Sequence, residues 1–427
     1  MTEDPGAGAA AGAAQRDAAV RAQYEAYPYP PRDPQDERRR LITGSPSNLP
    51  EVDHYLFGGA RDWGRPFRAL FAGGGTGDGC IMLAQQLADR GVPAEVVHLD
   101  ISAASQAIAR ARAEVRGLAN LRFVQGPLHD VAALAPGPYD YVDCCGVLHH
   151  LEDPPAGLAA LRAQLSPDGG MGLMVYGLLG RTGVYPVQAA LRALAGDDDL
   201  AARVALARRL LGDLPESNWL RRNPYLNDHL PEAEGEEVPA GKLFDLLLHP
   251  RDRAYDVPQL LDLLSGAGLA PAEFIVPMQY RPEAYLEDEG LKARAVALPQ
   301  AQRWALAENL AGNIRVHVVY AAPAERAAEA VARPGRPTMR PLPNGIDMAA
   351  LARTVARGKG VFKADLSGLP LSLPLPPGAE RLLPLIDGRR DLNQLAAAVG
   401  MDWFTFKPLF DKMYRVLNGL NLLLLRG

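Results

Sequence analysis

The sequence predicts an α/β fold built on a mostly parallel sheet. Several short segments are almost entirely apolar, and stretches with helical spacing lie between them. Strands buried on both faces form continuous apolar runs, and helices between successive strands cover the two faces of a parallel sheet. A glycine-rich segment, AGGGTGDG over residues 72–79, joins the first apolar run to a helix-like stretch. Glycines at such a corner let the backbone approach a ligand closely.

Strands and helices are expected to alternate from residue 67 onwards. The predicted strands cover 67–75, 94–100, 121–126, 139–148 and 170–177. The predicted helices between them cover 79–90, 102–116 and 154–165. The same order resumes with a helix at 257–268, a strand at 272–277, a helical insert at 283–310 and a strand at 313–322. Residues 178–256 are therefore interpreted as a helical insertion into one α/β domain.

Composition divides the chain outside that domain, which covers 67–322. The Ala/Gly-rich residues 1–15 are predicted to form a disordered tail. Residues 16–66 combine helical stretches with the proline cluster YPYPPRDP and are expected to form a lid segment. Residues 323–360 have the Pro and Gly content of a linker, and 361–427 predict short helices and a terminal strand in a small winged-helix-like domain.

Charge and cysteine usage limit the possible classes of function. The net charge of −5 and the pI near 6.0 argue against a nucleic-acid partner, which usually requires a basic face. Cys80, Cys144 and Cys145 have no metal-ligand spacing, so no metal site is expected. Few cysteines, no signal peptide and no membrane span together predict a cytoplasmic protein.

The glycine segment does not match the phosphate loop of nucleoside triphosphatases. Gly74 and Gly79 have the required separation, but Cys80 and Ile81 follow where Lys and Ser/Thr are needed. No cation is therefore available in the motif to contact a β- or γ-phosphate.

The dinucleotide pattern GxGxxG also fails in both possible registers. Gly73 and Gly75 would require a small residue at position 78, which is Asp78. Gly75 and Gly77 would require one at position 80, which is a cysteine. The third glycine normally lets the helix pack closely on the strand, and an aspartate prevents this.

Three ordered motifs instead resemble those of class I S-adenosylmethionine-dependent methyltransferases. They are GGGTG at 73–77, Asp100 at the end of AEVVHLD, and GVLHHLEDP at 146–154 followed by LSPDGG. The last is similar to small-molecule methyltransferases of ubiquinone/menaquinone biosynthesis. The resemblance covers about 67–177 and 257–322, and it implies a Rossmann-like seven-stranded methyltransferase sheet, a methyltransferase activity and S-adenosyl-L-methionine as cofactor.

Two positions depart from the family pattern. The family usually has an acid two residues before the first glycine, where this chain has Phe71. It often has an aspartate after the third strand, where this chain has Pro127. These departures leave an alternative function open, a weak or inactive cofactor-sensing or scaffold protein with a methyltransferase fold.

The resemblance assigns the cofactor contacts to the glycine loop and to the ends of the next three strands. Asp100 is expected to accept hydrogen bonds from both ribose hydroxyls. The expected cofactor-binding residues are Gly73, Gly74, Gly75, Thr76, Gly77, Asp100, Ile101, Leu128, His129, Cys145 and Gly146.

Methyl transfer is an in-line displacement, so alignment of the acceptor supplies much of the catalysis. A general base is needed only when the acceptor is protonated at neutral pH. The candidates near the reacting methyl group are His149, Cys145 and Tyr176. The candidates for acceptor binding are Tyr27, Tyr29, His150, His249, Arg253 and Tyr255. For the histidines and tyrosines, packing in the core stays open as the alternative.

The predicted partner is a small molecule or a peptide/protein side chain that accepts the methyl group. Neither nucleic acid nor a membrane is expected as a partner. The apolar terminal segment LNGLNLLLLRG suits either a core strand or a dimer contact, so a homodimer through the C-terminal domain is also possible.

Overall fold

The computed structural model describes residues 18–229 and 238–427, and the tail predicted for 1–15 lies outside them. A seven-stranded sheet forms the centre of the molecule. Its strands are β1 (Phe67–Ala72), β2 (Ala94–Asp100), β3 (Leu121–Gln125), β4 (Tyr139–Cys145), β5 (Leu165–Tyr176), β6 (Leu269–Ile275) and β7 (Val316–Pro323). Their order is β3-β2-β1-β4-β5-β7-β6. Only β7 is antiparallel to its neighbours, β5 and β6. The α/β sheet predicted from the sequence is confirmed.

Helices pack on both faces of this sheet and bury two apolar clusters against it. They are α1 (Leu49–Leu56), α2 (Asp78–Asp89), α3 (Ala103–Arg116), α4 (Pro154–Arg162), and, after the insertion described below, Val257–Gly266 and Gln300–Ala311. A further helix, Glu289–Val296, packs against Gln300–Ala311. Shorter helical turns cover Leu128–Asp130, Val131–Leu134, Leu148–His150, Pro277–Tyr280, Pro282–Ala284 and Ala327–Glu329.

The segment 16–66 is only partly the lid that the sequence predicts. Residues 18–26 form a helix, and a 3-10 turn follows at Pro34–Arg38. Helix α1, however, belongs to the core, because Leu49, Val52 and Tyr55 share one face and are buried against the sheet. The lid expectation therefore fails for α1, whose apolar spacing is that of a core helix.

The insertion at 178–256 has an apolar cluster of its own. The helix expected over 184–212 is two helices, Val184–Ala195 and Leu200–Asp213, because the chain turns at Gly196. Shorter helical segments follow at Trp219–Arg222, Pro224–His229, Ala240–Leu243 and Phe244–Leu248.

The stretch at 323–360 contains regular structure where a linker was expected. Strand β8 (Arg340–Pro343) and the helix Met348–Arg357 both lie in it. Strand β8 pairs antiparallel with the terminal strand Leu423–Arg426, 80 residues away. Local composition could not predict this, because the partner of β8 is so distant in sequence. The terminal segment is therefore a core strand, and a homodimer through the C-terminal domain stays a prediction.

The remaining C-terminal residues form a fourth apolar cluster. An antiparallel hairpin, Val361–Leu366 with Leu369–Pro374, begins this part of the chain and was not predicted. Helices follow at Ala379–Leu382, Leu392–Ala398 and Trp403–Gly419, with a 3-10 turn at Leu383–Leu385. The winged-helix assignment for 361–427 stays a prediction. None of the helices in the described ranges combines the length and apolar character needed to cross a membrane.

Candidate functional site

A cavity of about 620 Å³ opens at the carboxyl edge of the sheet. Its wall includes the four glycines of the loop at 73–77 and the ends of β2, β3, β4 and β5. Ligands of open α/β sheets bind at this edge. The volume lies within the range of 300–1,000 Å³ that small-molecule sites occupy.

The glycine loop owes its composition to packing as well as to ligand access. Gly73 and Gly77 have φ of +78° and +100°, values that side chains rarely adopt. A Cβ on Gly73 would lie 2.4 Å from a methyl group of Val147, and one on Gly74 would lie 2.4 Å from the His98 ring. The protein itself therefore excludes side chains here, in addition to the ligand clearance expected from the sequence.

Replacing Gly73 by alanine is expected to lower the free energy of unfolding by about 2–4 kcal/mol, the sum of a left-handed backbone and an overpacked Cβ. Gly91→Ala is the matched control, because Gly91 has φ of +67° but no atom within 4 Å of its Cβ position. Denaturant unfolding should show a smaller loss for the control. In a Gly73→Ala/Val147→Ala double mutant, the loss should be less than the sum of the single losses. Strict additivity would contradict the proposed overlap.

Asp100 holds the glycine loop with one oxygen and the next turn with the other. Its Oδ2 accepts from the backbone N–H of Gly75 at 2.7 Å, and its Oδ1 accepts from that of Ser102 at 2.8 Å. The side chain is 8% exposed and lines the cavity. Burial raises the pKa of this carboxyl, and nearby His98 and the two backbone donors partly offset that rise. The arrangement leaves further lone pairs on the carboxylate for ligand hydroxyls.

Part of the N-terminal segment predicted to be a lid borders the cavity beside the glycine loop. Tyr24, Tyr29 and Pro30 line the cavity. The carbonyl of Pro30 accepts from the Thr76 hydroxyl at 2.7 Å. Arg32 forms an ion pair with Asp78 at 2.5 Å, which fixes the segment at the start of α2.

The end of β3 forms the part of the wall where the family often has an aspartate and this chain has Pro127. Gly126, Pro127, Leu128 and His129 line the cavity there. Leu128 is buried, whereas the His129 side chain is 63% exposed. A polar contact from this region can therefore come from the backbone of the turn or from His129.

The end of β4 contributes Asp143, Cys145 and Gly146 to the wall. Burial raises the pKa of the Cys145 thiol well above its usual range, with further increases from Asp143 and Cys144. Cys145 is therefore a neutral thiol, suited to contact and not to nucleophilic attack.

The two adjacent histidines differ in placement, and it is His149, expected near the reacting methyl group, that lies off the cavity wall. His149 is 1% exposed and does not line the cavity, and neither of its ring nitrogens has a hydrogen-bond partner among the described residues. His150 does line it, with Nδ1 donating to the carbonyl of Arg251 at 2.7 Å. The assignment of His149 as a base is corrected, because its ring packs against Tyr176 with centroids 3.9 Å apart. Burial lowers the pKa of His150 to about 4, so its ring is neutral at pH 7.

A polar cluster closes the cavity at β5 and consists of Tyr24, Tyr176 and Asp245. The Tyr176 hydroxyl donates to Asp245 Oδ1 at 2.7 Å. Burial raises the pKa of Asp245 to about 6, so this carboxyl is mainly ionised at pH 7. The guanidinium of Arg181 lies 3.7 Å from the centroid of the Tyr176 ring and pairs with Asp252 at 2.7 Å.

Several predicted site residues lie outside the cavity wall. Thr76 is fully buried under Pro30, and Tyr27 stacks on Phe244 with centroids 4.8 Å apart. His249 lies behind two residues of the wall: its Nε2 is 3.4 Å from the Tyr24 hydroxyl, and its ring stacks on His150 with centroids 3.6 Å apart. The predictions that Arg253 and Tyr255 bind the acceptor are also corrected. Arg253 is exposed away from the cavity, and Tyr255 belongs to the core. The predicted site residues that do line the cavity are Gly73, Gly74, Gly75, Gly77, Asp100, Ile101, Leu128, His129, Cys145, Gly146, Tyr29, His150 and Tyr176.

Sequence reasoning missed the charged residues that come to the cavity from separate elements. These residues are Asp143, Arg181, Asp245 and Arg315. The sequence contained a signal only for Asp143, an acid inside an otherwise apolar strand. No group of three or more metal-binding side chains occurs in the described residues.

The fold and the cavity together define an α/β protein with a site for a nucleoside-type cofactor. A family model described as a methyltransferase domain matches residues 70–171. The uncharacterized protein syc1184_c from Synechococcus is 35% identical over 302 residues, which cover 68% of each chain. The ubiquinone biosynthesis O-methyltransferase of Acinetobacter baylyi is 31% identical over 137 residues, 32% of this chain and 53% of that enzyme. This chain thus spans about half the length of that relative.

Similarity to solved structures extends over most of the chain. PKMT2 from Rickettsia typhi, in complex with AdoHcy, has a TM-score of 0.60 at 13% identity, covering 89% of this chain and 76% of that one. At this identity the likeness concerns the fold. The chain belongs to the class I S-adenosylmethionine-dependent methyltransferase family, and S-adenosylmethionine is its cofactor. The cavity fits such a molecule, because Asp100 and the side-chain-free loop lie along one wall.

Proposed function

We propose that this methyltransferase acts on a small molecule or on a peptide or protein side chain. The acceptor binds at the polar cluster of Tyr24, Tyr176 and Asp245, which is the acceptor end of the cavity. One observation carries the proposal: a single cavity extends from the glycine loop and Asp100 to Tyr24, Tyr176 and Asp245. A methyl donor and an acceptor can share such a cavity in line with each other. The cofactor, when bound, supplies a methyl group activated by a sulfonium centre.

We propose that the glycine loop and Asp100 hold the ribose, while Leu128 and His129 contact the base. Cys145 and Gly146 then lie beside the reacting methyl group. The lid residues Tyr24 and Tyr29 exclude water, since both line the cavity and the lid is fixed to the body of the domain. Exclusion of water and alignment of the acceptor are the contributions that this chain makes to the displacement.

The Tyr176–Asp245 pair is proposed to orient the acceptor. Burial and the neighbouring Asp245 raise the pKa of the Tyr176 phenol well above its usual value, so the hydroxyl stays protonated. Asp245 is the group in the acceptor end whose carboxyl is ionised near neutral pH. It is therefore placed to accept a proton, directly or through the phenol, from an acceptor that carries one.

The acceptor itself can be found with methyl-labelled cofactor. Incubating the purified protein with a cell extract and labelled S-adenosylmethionine should transfer the label to one class of molecule. Separation of small metabolites from proteins then distinguishes the two acceptor types. If no molecule gains label while the protein binds S-adenosylhomocysteine, the alternative of a cofactor-sensing or scaffold protein replaces this proposal.

With the labelled acceptor, Asp245→Asn is expected to lower kcat/KM at least about tenfold, in the range of one lost acid–base contact. The affinity for S-adenosylhomocysteine should stay within twofold, because Asp245 lies at the acceptor end. Asp168→Asn, an exposed aspartate on β5, is the matched control and should change neither value. Equal losses in cofactor affinity and in kcat/KM would contradict a role for Asp245 in acceptor binding.

We also infer a cytoplasmic location from cysteine usage. Cys80, Cys144 and Cys145 are all free thiols, which is typical of proteins from a reducing compartment. Fractionation of the source cells, with an antibody against the protein, tests this location.

A further inference from the structure

The position where the family usually has an acid before the glycine loop is filled by an apolar ring. Phe71 is 2% exposed, and its ring packs edge-on against Tyr141 with centroids 6.3 Å apart. It also packs beneath the start of α2, where a Cβ on Gly79 would lie 2.9 Å from the ring. The remaining residues of β1, FRALFA, include no carboxylate. A carboxylate at this place must therefore come from another strand.

Asp143 on β4 supplies a carboxylate beside Phe71. It is the register partner of Phe71 across the β1–β4 pair. Side chains of register partners in a parallel pair project to the same face of the sheet. Asp143 is 7% exposed and lines the cavity, so its carboxylate lies one strand away from the Phe71 ring on the cavity side.

The hydrogen bonds of Asp143 hold its carboxyl group in place, and their donors are uncharged. Ser47 Oγ donates to Oδ2 at 2.6 Å, and the backbone N–H of Cys145 donates to Oδ1 at 3.3 Å. The Tyr141 hydroxyl lies 3.5 Å from Oδ2. Across the described ranges, no lysine or arginine forms an ion pair with this carboxylate. A buried carboxylate without a cation is costly, so the site favours a cationic ligand group.

Ser47 is itself fixed in an uncommon conformation. Its φ is +85°, which is rare for a residue with a side chain and is maintained by surrounding contacts. Its backbone N–H donates to the Tyr320 hydroxyl at 3.1 Å, and that hydroxyl donates to Glu51 at 3.0 Å. The neighbouring Ser45 also binds Glu51, at 2.7 Å. These contacts fix the Ser47 hydroxyl behind the cavity wall, where it holds the Asp143 carboxylate that lines the cavity.

The position of Asp143 relative to Asp100 defines which part of the cofactor it can reach. The two acids lie on β4 and β2, on either side of β1, so two strand spacings of roughly 10 Å in total separate their strands. With the ribose at Asp100 and the base at β3, the amino-acid tail of the cofactor is directed towards β4. We propose that Asp143, held by Ser47, binds the α-ammonium group of the cofactor's methionine moiety and replaces the acid absent at Phe71. This inference rests on the cofactor orientation proposed above and is independent of the acceptor.

Binding of two ligands by Asp143→Asn tests the inference. S-Adenosylhomocysteine carries the amino-acid tail, whereas 5′-methylthioadenosine has the same nucleoside without it. In calorimetric titrations, the variant should bind S-adenosylhomocysteine at least tenfold more weakly and methylthioadenosine within twofold of the wild type. An equal loss for both ligands, or no loss for either, would overturn the inference. A wild-type protein that binds neither ligand would instead remove the cofactor orientation itself.

The pH dependence of binding gives a second measurement. Burial raises the pKa of Asp143 to about 7, and the Ser47 hydrogen bond limits that rise. The titratable groups that face it are Tyr141 and Cys145 on β4 and Cys80 on α2, and burial raises the pKa of each, so all three stay neutral below pH 8. Affinity for S-adenosylhomocysteine should therefore fall from pH 8 to pH 6 in the wild type, as Asp143 loses its charge.

Two variants separate this titration from a structural effect. In Asp143→Asn the difference between the pH dependences of the two ligands should disappear. Ser47→Gly suits the positive φ and removes the hydroxyl, so the midpoint of the wild-type pH dependence should move to higher pH. An unchanged midpoint in Ser47→Gly, in a variant that still binds methylthioadenosine, would count against the Asp143 assignment.

Discussion

Replacing Arg112 by methionine is expected to lower the free energy of unfolding by about 3–5 kcal/mol, the cost of leaving a buried ion pair without one partner. The Arg112 side chain is 1% exposed, and its Nε and Nη2 donate to Glu37 Oε1 at 2.9 and 2.6 Å. Its Nη1 donates to Asp78 at 2.7 Å and to the carbonyl of Thr76 at 2.8 Å. The variant leaves Glu37, which is 2% exposed at its side chain, with Arg116 as its remaining cation.

The network around Arg112 also connects fold stability to the cofactor site. It joins α3 to the lid segment through Glu37 and to the glycine loop through Thr76. Cofactor affinity should therefore fall in the variant together with stability. Arg122→Met is the matched control, because Arg122 pairs with Glu95 at the surface, with side chains 42% and 39% exposed. A pair of that kind contributes about 0–1 kcal/mol.

Urea unfolding followed by circular dichroism compares the two variants directly. A similar loss in Arg122→Met and Arg112→Met would show that the buried network contributes no more than a surface pair. A loss of stability in Arg112→Met without a change in affinity for S-adenosylhomocysteine would separate the network from the glycine loop.

The features that the sequence predicts well are the ones defined by local order. The alternation of apolar strands and helices led to the seven-stranded sheet, and GGGTG and Asp100 lie together at the cavity. Both depend on residues close together in sequence, on strand ends whose position the fold class determines. The spacing of such motifs carries much of the information about the cofactor site.

The features that could not be predicted from the sequence depend on contacts between segments that are distant along the chain. Asp245 belongs to the insertion and contacts Tyr176, 69 residues earlier. Strand β8 lies in a segment with the composition of a linker and becomes regular only by pairing with the terminal strand. The choice between His149 and His150 depended on the direction of one short 3-10 turn, which adjacent identical residues cannot reveal. The spacing of apolar residues along the chain carries no information about any of these contacts.

Replacing Asp100 by alanine is expected to weaken binding of S-adenosylhomocysteine about 100-fold. Two hydrogen bonds from ribose hydroxyls to a charged acceptor, at about 1.5 kcal/mol or more each, give roughly 3 kcal/mol, which corresponds to that factor. The variant also removes the acceptor of the Gly75 N–H, so part of the loss could come from a disordered loop. A second ligand is needed to separate these two causes.

The 2′,3′-dideoxy analogue of S-adenosylhomocysteine makes that separation. It lacks the hydroxyls that Asp100 is proposed to bind, so wild type and Asp100→Ala should bind the analogue with affinities much closer than those for the parent ligand. Asp130→Ala is the control: its side chain is 56% exposed beside the cavity but does not line it, and neither affinity should change. If Asp100→Ala loses the same factor for both ligands, Asp100 acts on the loop and the ribose lies elsewhere. If only the parent ligand is affected, the ribose hydroxyls bind Asp100 at the end of β2, as proposed.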